Sequence, residues 1–134
     1  MPFAQYFNPE TLARNPAFTQ AISVPAGART VYVGGQNAVD ASRNVVGRGD
    51  LCAQTRQSVT NLTLALESAG ARLDDVVKCT IYLVAEQPLG AAFEAWRELW
   101  GPRENPPTIS VVFVAALANP EFLIEIDAIA AVRP

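Results

Sequence analysis

The sequence predicts an α+β domain in which two helices cover one face of a single mixed sheet. Two segments carry apolar residues at spacings of three and four, which is typical of amphipathic helices. Several short runs rich in β-branched and aromatic residues predict strands around them. The chain has 134 residues and fits one domain, 1–134, with 1–16 as an extended N-terminal segment. The predicted order is β-β-α-β-α-β-β.

The first two predicted strands are "FTQAISV" (18–24) and "RTVYVGG" (29–35). The sequence "PAGA" between them is a Pro/Gly turn signal, so we expect a hairpin. The following segment, 36–49, has turn formers throughout and no helical stripe. We expect a loop there, with room for one short strand.

The clearest helix begins after Asp50, which can cap its first turn, and Gly70 can close it. Its apolar residues repeat at helical spacing: Val59, Leu62, Leu66 and Ala69. The next predicted strand is "VVKCTIYLV" (76–84).

A second helix is predicted from about Pro88, a favourable first-turn residue, to the Gly101-Pro102 pair. Four large apolar side chains fall on one side of it: Leu89, Phe93, Trp96 and Trp100. The loop "GPRENPP" then leads to two strands, in 108–117 and 122–132.

Segment 108–117, "TISVVFVAAL", is apolar at both alternating positions. One face of such a strand can meet the helices, but the other also requires cover, and no third helix is predicted. This pattern favours burial in an oligomer.

Composition excludes several classes of function. The ten Lys and Arg residues are dispersed and the net charge is −3, so the clustered basic surface that nucleic acid requires is absent. No apolar run approaches the roughly 18 residues of a membrane span. The N-terminal sequence does not resemble a secretory signal, so we expect a cytoplasmic protein with Cys52 and Cys79 as free thiols.

The sequence has no histidine. Histidine general bases, Ser-His-Asp and Cys-His nucleophile systems and histidine-ligated metals are therefore excluded. We expect no metal and no cofactor. Any chemistry must use carboxylates, backbone groups, Lys or Arg, hydroxyls or thiols.

Two carboxylates stand two residues apart in the last predicted strand, at Glu125 and Asp127, and so share one face of it. They can be the polar side of a half-covered strand, or one can face a cleft and act as acid or base. The glycines Gly34 and Gly35 at the end of another strand have two interpretations as well. They can form a turn or bulge, or they can leave backbone N–H groups accessible to a ligand.

Together, four stretches resemble the Rid family of reactive-intermediate deaminases, also called the YjgF family. They are "GGQ" (34–36), "AQTRQSVTN" (53–61), "AGARLDDVVKCTIYL" (69–83) and "IEIDAIA" (124–130), and they occur in the family's order and spacing. The resemblance implies a chorismate-mutase-like subunit that assembles as a homotrimer, with small-molecule clefts between neighbouring subunits. It also implies hydrolysis of imines or enamines without a cofactor.

Two positions match the family pattern. Glu125 stands where the family has the acid thought to position or activate water. Gly35, preceded by Gly34, stands where a backbone N–H meets the substrate carboxylate.

Three positions depart from it. The signature arginine follows a proline in a pattern like Pro-x-Arg-Ser, and "PTIS" puts Ile109 there, two residues before Val111. Phe18 replaces the family's tyrosine and Gly90 its asparagine. Since a hydrocarbon cannot replace a bidentate guanidinium contact, the cleft should prefer less charged, bulkier or more apolar ligands. Arg103, in the adjacent loop, is an alternative source of positive charge.

These observations predict a deaminase-type hydrolase acting on a small imine, enamine or related carbonyl-derived metabolite, and not on the usual α-imino acids. The alternative is a non-catalytic trimer that binds a small molecule or a protein. A ribonuclease fits poorly with the acidic charge and the absence of histidine.

Overall fold

The computed structural model describes residues 3–134. It contains strands β1 (Gln5–Phe7), β2 (Ala21–Ser23), β3 (Arg29–Gln36), β4 (Val76–Val84), β5 (Thr108–Val114) and β6 (Ile124–Val132), and helices α1 (Leu51–Ser68) and α2 (Leu89–Trp100). A short 3₁₀ turn, Leu73–Asp75, precedes β4. The predicted α+β fold with two helices and a mixed sheet is confirmed.

The main sheet has four strands in the order β3-β6-β4-β5. β6 is antiparallel to both of its neighbours, whereas β4 and β5 run parallel and are joined through α2. A parallel pair needs a crossover connection, and a helix is the usual one. This topology makes β5 an edge strand.

The predicted hairpin between segments 18–24 and 29–35 is wrong. β2 pairs with β1, a three-residue strand inside the predicted extended segment, and β3 pairs with β6. The turn residues between β2 and β3 are present, with Gly27 at φ +85°, but the two strands enter different sheets. In the predicted loop, the one short strand interaction is a bridge between Val39 and Val45.

Helix α1 confirms its sequence signals. The side chain of Asp50 accepts a hydrogen bond from the Ala53 N–H, and Gly70 adopts φ +75° just beyond the helix end. The apolar stripe of α1 packs on β3 and β6, where Leu62 and Leu66 are fully buried. Truncation of such a leucine to alanine typically costs about 2–5 kcal/mol.

Helix α2 begins after Pro88 as predicted, but its apolar side is divided. Trp96 and Trp100 are buried and stacked with ring centroids 4.4 Å apart. Leu89 and Phe93 are each 46% exposed, because α2 packs on α1 and stands away from the edge of the sheet. The space between α2 and this edge is the first part of the candidate site.

Among residues 3–134, no helix combines the length and the apolarity needed to cross a membrane.

Candidate functional site

A pocket of about 570 Å³ lies between α2 and the edge of the sheet. Its floor is formed by alternate residues of β4 and β5, and its walls by α2 and the loop before β2. The residues lining it are Asn15, Ala17, Phe18, Thr55, Ile81, Leu83, Leu89, Gly90, Ala92, Phe93, Trp96, Ile109, Val111, Phe113 and Ile124. We call this space the apolar pocket, because none of these residues carries a charge.

Four predicted site residues meet in the apolar pocket. Ile109 and Val111 project from β5, Gly90 lies in the first turn of α2, and Phe18 comes from the loop before β2. Buried Thr19 fixes the Phe18 loop, since its hydroxyl donates to the Pro106 carbonyl at 2.5 Å and its N–H to the Pro107 carbonyl at 3.0 Å. The loop before β2 is therefore tied to the loop before β5.

Two polar atoms of the residues that line the apolar pocket are already used within the chain. The Thr55 hydroxyl donates to the Leu51 carbonyl at 2.7 Å, and Asn15 Oδ1 accepts from the Ala17 N–H at 2.8 Å. The pocket thus presents a ligand with mainly hydrocarbon and aromatic surface.

The second part of the site is built around Glu125. Its Oε1 accepts a hydrogen bond from Asn37 Nδ2 at 3.2 Å, and the same amide also donates to the Ile124 carbonyl. The Asn37 loop is held in turn by Asn61 Nδ2, which donates to the carbonyls of Asn37 and Val39 at 2.9 and 2.8 Å. Glu125 is therefore oriented by an amide from a loop that α1 anchors.

Gly35 lies directly against the Glu125 carboxylate. A Cβ at position 35 would lie 2.5 Å from Glu125 Oε2, whereas a Cβ at Gly34 would meet nothing within 4 Å. The pairing of β3 with β6 shifts register between Val33 and Gln36, so the two glycines lie in a bulge. The bulge and the close approach to the Glu125 side chain thus occur together, and the close approach depends on glycine at position 35.

Asp127 lies on the same face of β6 as Glu125 and has a different partner. Its Oδ2 accepts a long hydrogen bond, 3.4 Å, from the Tyr82 hydroxyl of β4. The Asp127 charge, together with partial desolvation, raises the pKa of Tyr82 above its ordinary value. Both carboxylates are partly exposed.

Glu125 and the apolar pocket lie on opposite faces of the sheet. In the register across β5, β4 and β6, Val111 aligns with Ile81 and Ile126, and all three point to the helices. Val112 aligns with Tyr82 and Glu125 on the other face, which no helix of residues 3–134 covers. One subunit therefore does not bring Glu125 and Ile109 together.

Arg103 does not line the apolar pocket. Its guanidinium pairs with Asp74, donates to the Trp100 carbonyl at 2.8 Å and lies 5.5 Å from the Trp100 ring centroid. These contacts leave its side chain only 18% exposed. The alternative in which Arg103 supplies the missing positive charge is not the arrangement in this subunit.

The two thiols are free and differ in environment. Cys79 is buried in β4, and burial raises its pKa to about 12. Cys52 is partly exposed, and its Sγ donates to the Ala91 carbonyl at 3.4 Å. Within residues 3–134, no three His, Cys, Asp or Glu side chains are grouped to hold a metal ion.

Sequence reasoning missed Asn37 and the aromatic residues that complete the apolar pocket, Phe93 and Phe113. Asn37 follows "GGQ" directly in the sequence, and this proximity to Gly35 is the signal that could have identified it. Spacing places Phe93 on the apolar side of the second helix, but it does not tell whether a sheet covers that side.

Comparison with known proteins identifies the family of the chain. Residues 10–132 match the family described as Endoribonuclease L-PSP. The chain is 35% identical to a RutC family protein of Pyrococcus abyssi, with 84% of each chain covered. It is 33% identical to the 2-iminobutanoate/2-iminopropanoate deaminase of Rattus norvegicus, over 88% of this chain and 82% of the relative.

Solved structures give the same result. The crystal structure of YyfB from Yersinia pestis, described as a Rid family protein of unknown function, superimposes with a TM-score of 0.85. The two chains are 36% identical, and the match covers 97% of this chain and 99% of the other. The chain belongs to the Rid/YjgF family.

Proposed function

We propose that this protein is a cytoplasmic, deaminase-type hydrolase of small imines or enamines that do not carry the usual carboxylate. Its sites would lie between the subunits of a homotrimer, and it would need neither a metal nor a cofactor. The observation that carries the proposal is the oriented Glu125 carboxylate against the Gly35 backbone.

Glu125 has the features of a group that handles the proton of a water molecule. It is partly exposed, it is held at one oxygen by Asn37, and the backbone of Gly35 approaches its other oxygen. In the proposed reaction, water adds to the C=N carbon and its proton passes through Glu125 to the nitrogen. The C–N bond of the resulting carbinolamine then breaks, releasing ammonia and leaving a carbonyl compound. A positioned acid-base group typically contributes about 10²–10⁴-fold to such a rate.

The placement of the two parts on opposite faces supports a site shared between subunits. Glu125 of one copy can meet the apolar pocket of another only if the outer face of the first sheet packs against the β5 edge of the second. That edge exposes apolar surface: Val111, Val112 and Phe113 are 49%, 40% and 52% exposed. Exposed apolar patches of this kind mark interfaces or ligand sites.

Ile109 supports the choice of substrate. It lines the apolar pocket among uncharged residues, and Arg103, in the loop that precedes Ile109, is paired with Asp74. An ionised carboxylate entering this pocket would lose its hydration without gaining a partner. Imine chemistry itself is supported by the rat relative, which is named for deamination of iminobutanoate and iminopropanoate.

The test is ammonia release from freshly generated imines, comparing a carboxylated imine with an uncharged imine of similar size. The proposal expects turnover of the uncharged imine and little or none of the carboxylated one. Turnover of the carboxylated imine alone would contradict the substrate choice, and a monomeric mass by light scattering would contradict the shared site.

The second candidate is a non-catalytic trimer that keeps the cleft as a binding site. It is favoured by the loss of all three polar side chains expected in the pocket, at Phe18, Gly90 and Ile109. Ligand binding with no turnover of any imine would favour it.

A further inference from the structure

We propose that the apolar pocket holds the aryl group of an uncharged arylalkyl imine, so that the substrates are imines of the type formed when an arylalkylamine is oxidised. This inference rests on the proposed function for its reaction. Its statement about the ligand depends on the pocket alone.

The first argument is the concentration of aromatic side chains. Phe18, Phe93, Trp96 and Phe113 all line the apolar pocket, which is half of the eight Phe and Trp residues of the chain. Aromatic rings prefer offset-stacked or edge-to-face partners, and such pairs contribute beyond the area they bury. A flat ring fits this lining better than a branched aliphatic group of equal volume.

The second argument is size. The pocket, which is open on one side, has a volume of about 570 Å³. An engineered cavity of about 150 Å³ is enough to bind benzene. The apolar pocket therefore has room for a ring with a short linker, whereas a methyl or ethyl substituent would leave most of its surface without contacts.

The third argument is the open position at Gly90. Gly90 lines the pocket, and a Cβ added there would meet nothing within 4 Å. Its φ is not positive, so the backbone would also accept other residues. A glycine in the first turn of a helix lowers helix stability relative to alanine, and no backbone feature of α2 requires it. We therefore infer that glycine at position 90 serves to keep the pocket large.

The alkyl linker between the ring and the C=N group would place the C=N group away from the pocket floor. The floor residues Ile81 and Ile109 offer no polar partner for a C=N group. The imine must then lie at the pocket mouth, where Glu125 of a neighbouring subunit would supply the acid. The reaction is R–CH=NH plus water giving R–CHO and ammonia, with R an arylalkyl group, and it requires no further reactant.

The test measures binding separately from turnover. Phenylacetamide serves as an uncharged, unreactive aryl probe, acetamide as the probe without the ring, and phenylacetate as the charged probe. Trp96 lines the pocket and is one of only two tryptophans in the chain, so its fluorescence reports binding. Calorimetry supplies an independent affinity.

Phenylacetamide should bind at least about tenfold more tightly than acetamide, since even one methylene in an apolar pocket is worth about 10–200-fold. Phenylacetate should bind more weakly than phenylacetamide. Gly90→Leu should reduce the affinity for phenylacetamide about tenfold or more, by filling the pocket. Ala91→Leu is the matched control, because Ala91 is exposed on the same turn and does not line the pocket. Phe113→Ala provides a second variant that removes a ring from an exposed position.

Equal affinities for phenylacetamide and acetamide would overturn the inference, as would full affinity in both Gly90→Leu and Phe113→Ala. No binding of either probe would also overturn it, and would indicate that side chains of a neighbouring subunit fill the pocket. The proposed function fails differently: if phenylacetamide binds selectively but no imine is hydrolysed, the aryl site stands and the reaction does not. If only aliphatic imines are hydrolysed, the reaction stands and the aryl site does not.

Discussion

The two faces of the main sheet carry different side chains along strand β6, which pairs with β4. The face toward the helices carries alternate buried residues of β6, such as Ile124 and Ile126, and continues at the sheet edge into the apolar pocket. The opposite face carries Glu125 and Asp127, each with a single side-chain hydrogen-bond donor. One face offers a pocket without charged groups, and the other offers carboxylates without a pocket around them. A site that needs both must combine the two faces from different copies of the chain.

The largest effect is expected from Glu125→Gln. The amide keeps the size of the side chain but removes its ability to accept a proton from water. Turnover should fall about 10²–10⁴-fold, as expected for loss of a general acid-base group, while phenylacetamide binding stays within a factor of about two. Steady-state ammonia release and calorimetry measure the two quantities. A variant with undiminished turnover would remove Glu125 from the mechanism.

Gly35→Ala should have the next largest effect. The new Cβ would lie 2.5 Å from Glu125 Oε2, so the flexible carboxylate must move while the fold is retained. A displacement of about 1 Å at a catalytic group can cost about a hundredfold in rate. Gly34→Ala is the matched control, because its Cβ has open space in the same bulge. Equal losses in kcat for the two variants would show that the bulge itself, and not contact with Glu125, is responsible.

Ile109→Arg should change the substrate preference by a smaller factor. A charged hydrogen bond contributes about 1.5–3 kcal/mol, so carboxylated imines should gain about tenfold or more in kcat/KM relative to uncharged ones. Ile109→Leu keeps the apolar character and should leave the preference unchanged. If Ile109→Arg folds and assembles without gaining carboxylated substrates, position 109 does not face the ligand.

The smallest effect concerns Asp127 on the outer face. Because the pKa of Tyr82 is raised in the folded protein, chiefly by Asp127, the folded state releases the Tyr82 proton at higher pH than the unfolded state. The resulting stability is fully present below about pH 10, the ordinary tyrosine pKa, and is lost as pH rises through the folded value. Asp127→Asn should lower the pKa of Tyr82, and stability should then fall less steeply above about pH 10. Ultraviolet titration of Asp127→Asn against wild type, with urea unfolding at each pH, measures both. Identical titrations would show that Tyr82 does not sense Asp127.

Sequence patterns predicted the parts of the fold that repeat over many residues. Helix α1 has eighteen residues with an apolar stripe and a cap at Asp50, and β4 and β6 are nine-residue runs of β-forming residues. β1 and β2 have only three residues each, too few for any periodicity, so the partner of β2 could not be read from the chain. Turn residues near Gly27 then favoured the wrong neighbour.

Several residues of the candidate site, such as Glu125, Gly35 and Ile109, could be named from the sequence, but their arrangement could not. Alternation along β6 separates Glu125 from Ile126, and alternation along β5 separates Ile109 from Ser110. Which residues of the two strands share a face depends on the register through β4, and local sequence does not fix that register. The pairing of Arg103 with Asp74 could not be predicted for a similar reason, since Asp74 lies in a turn that is distant in the sequence.

The most direct test of a site shared between subunits is complementation. As pure proteins and at subsaturating substrate, Glu125→Gln is expected to be nearly inactive toward arylalkyl imines because it lacks the acid, and Gly90→Leu to be about tenfold or more less active because its pocket is filled. In trimers formed from an equal mixture, refolded together, about a quarter of the interfaces of a cyclic assembly should pair an intact Glu125 with an intact pocket. The account predicts that ammonia release from the mixture recovers to about that fraction of the wild-type rate. No recovery in mixed trimers of confirmed composition would show that Glu125 and the apolar pocket do not meet across an interface.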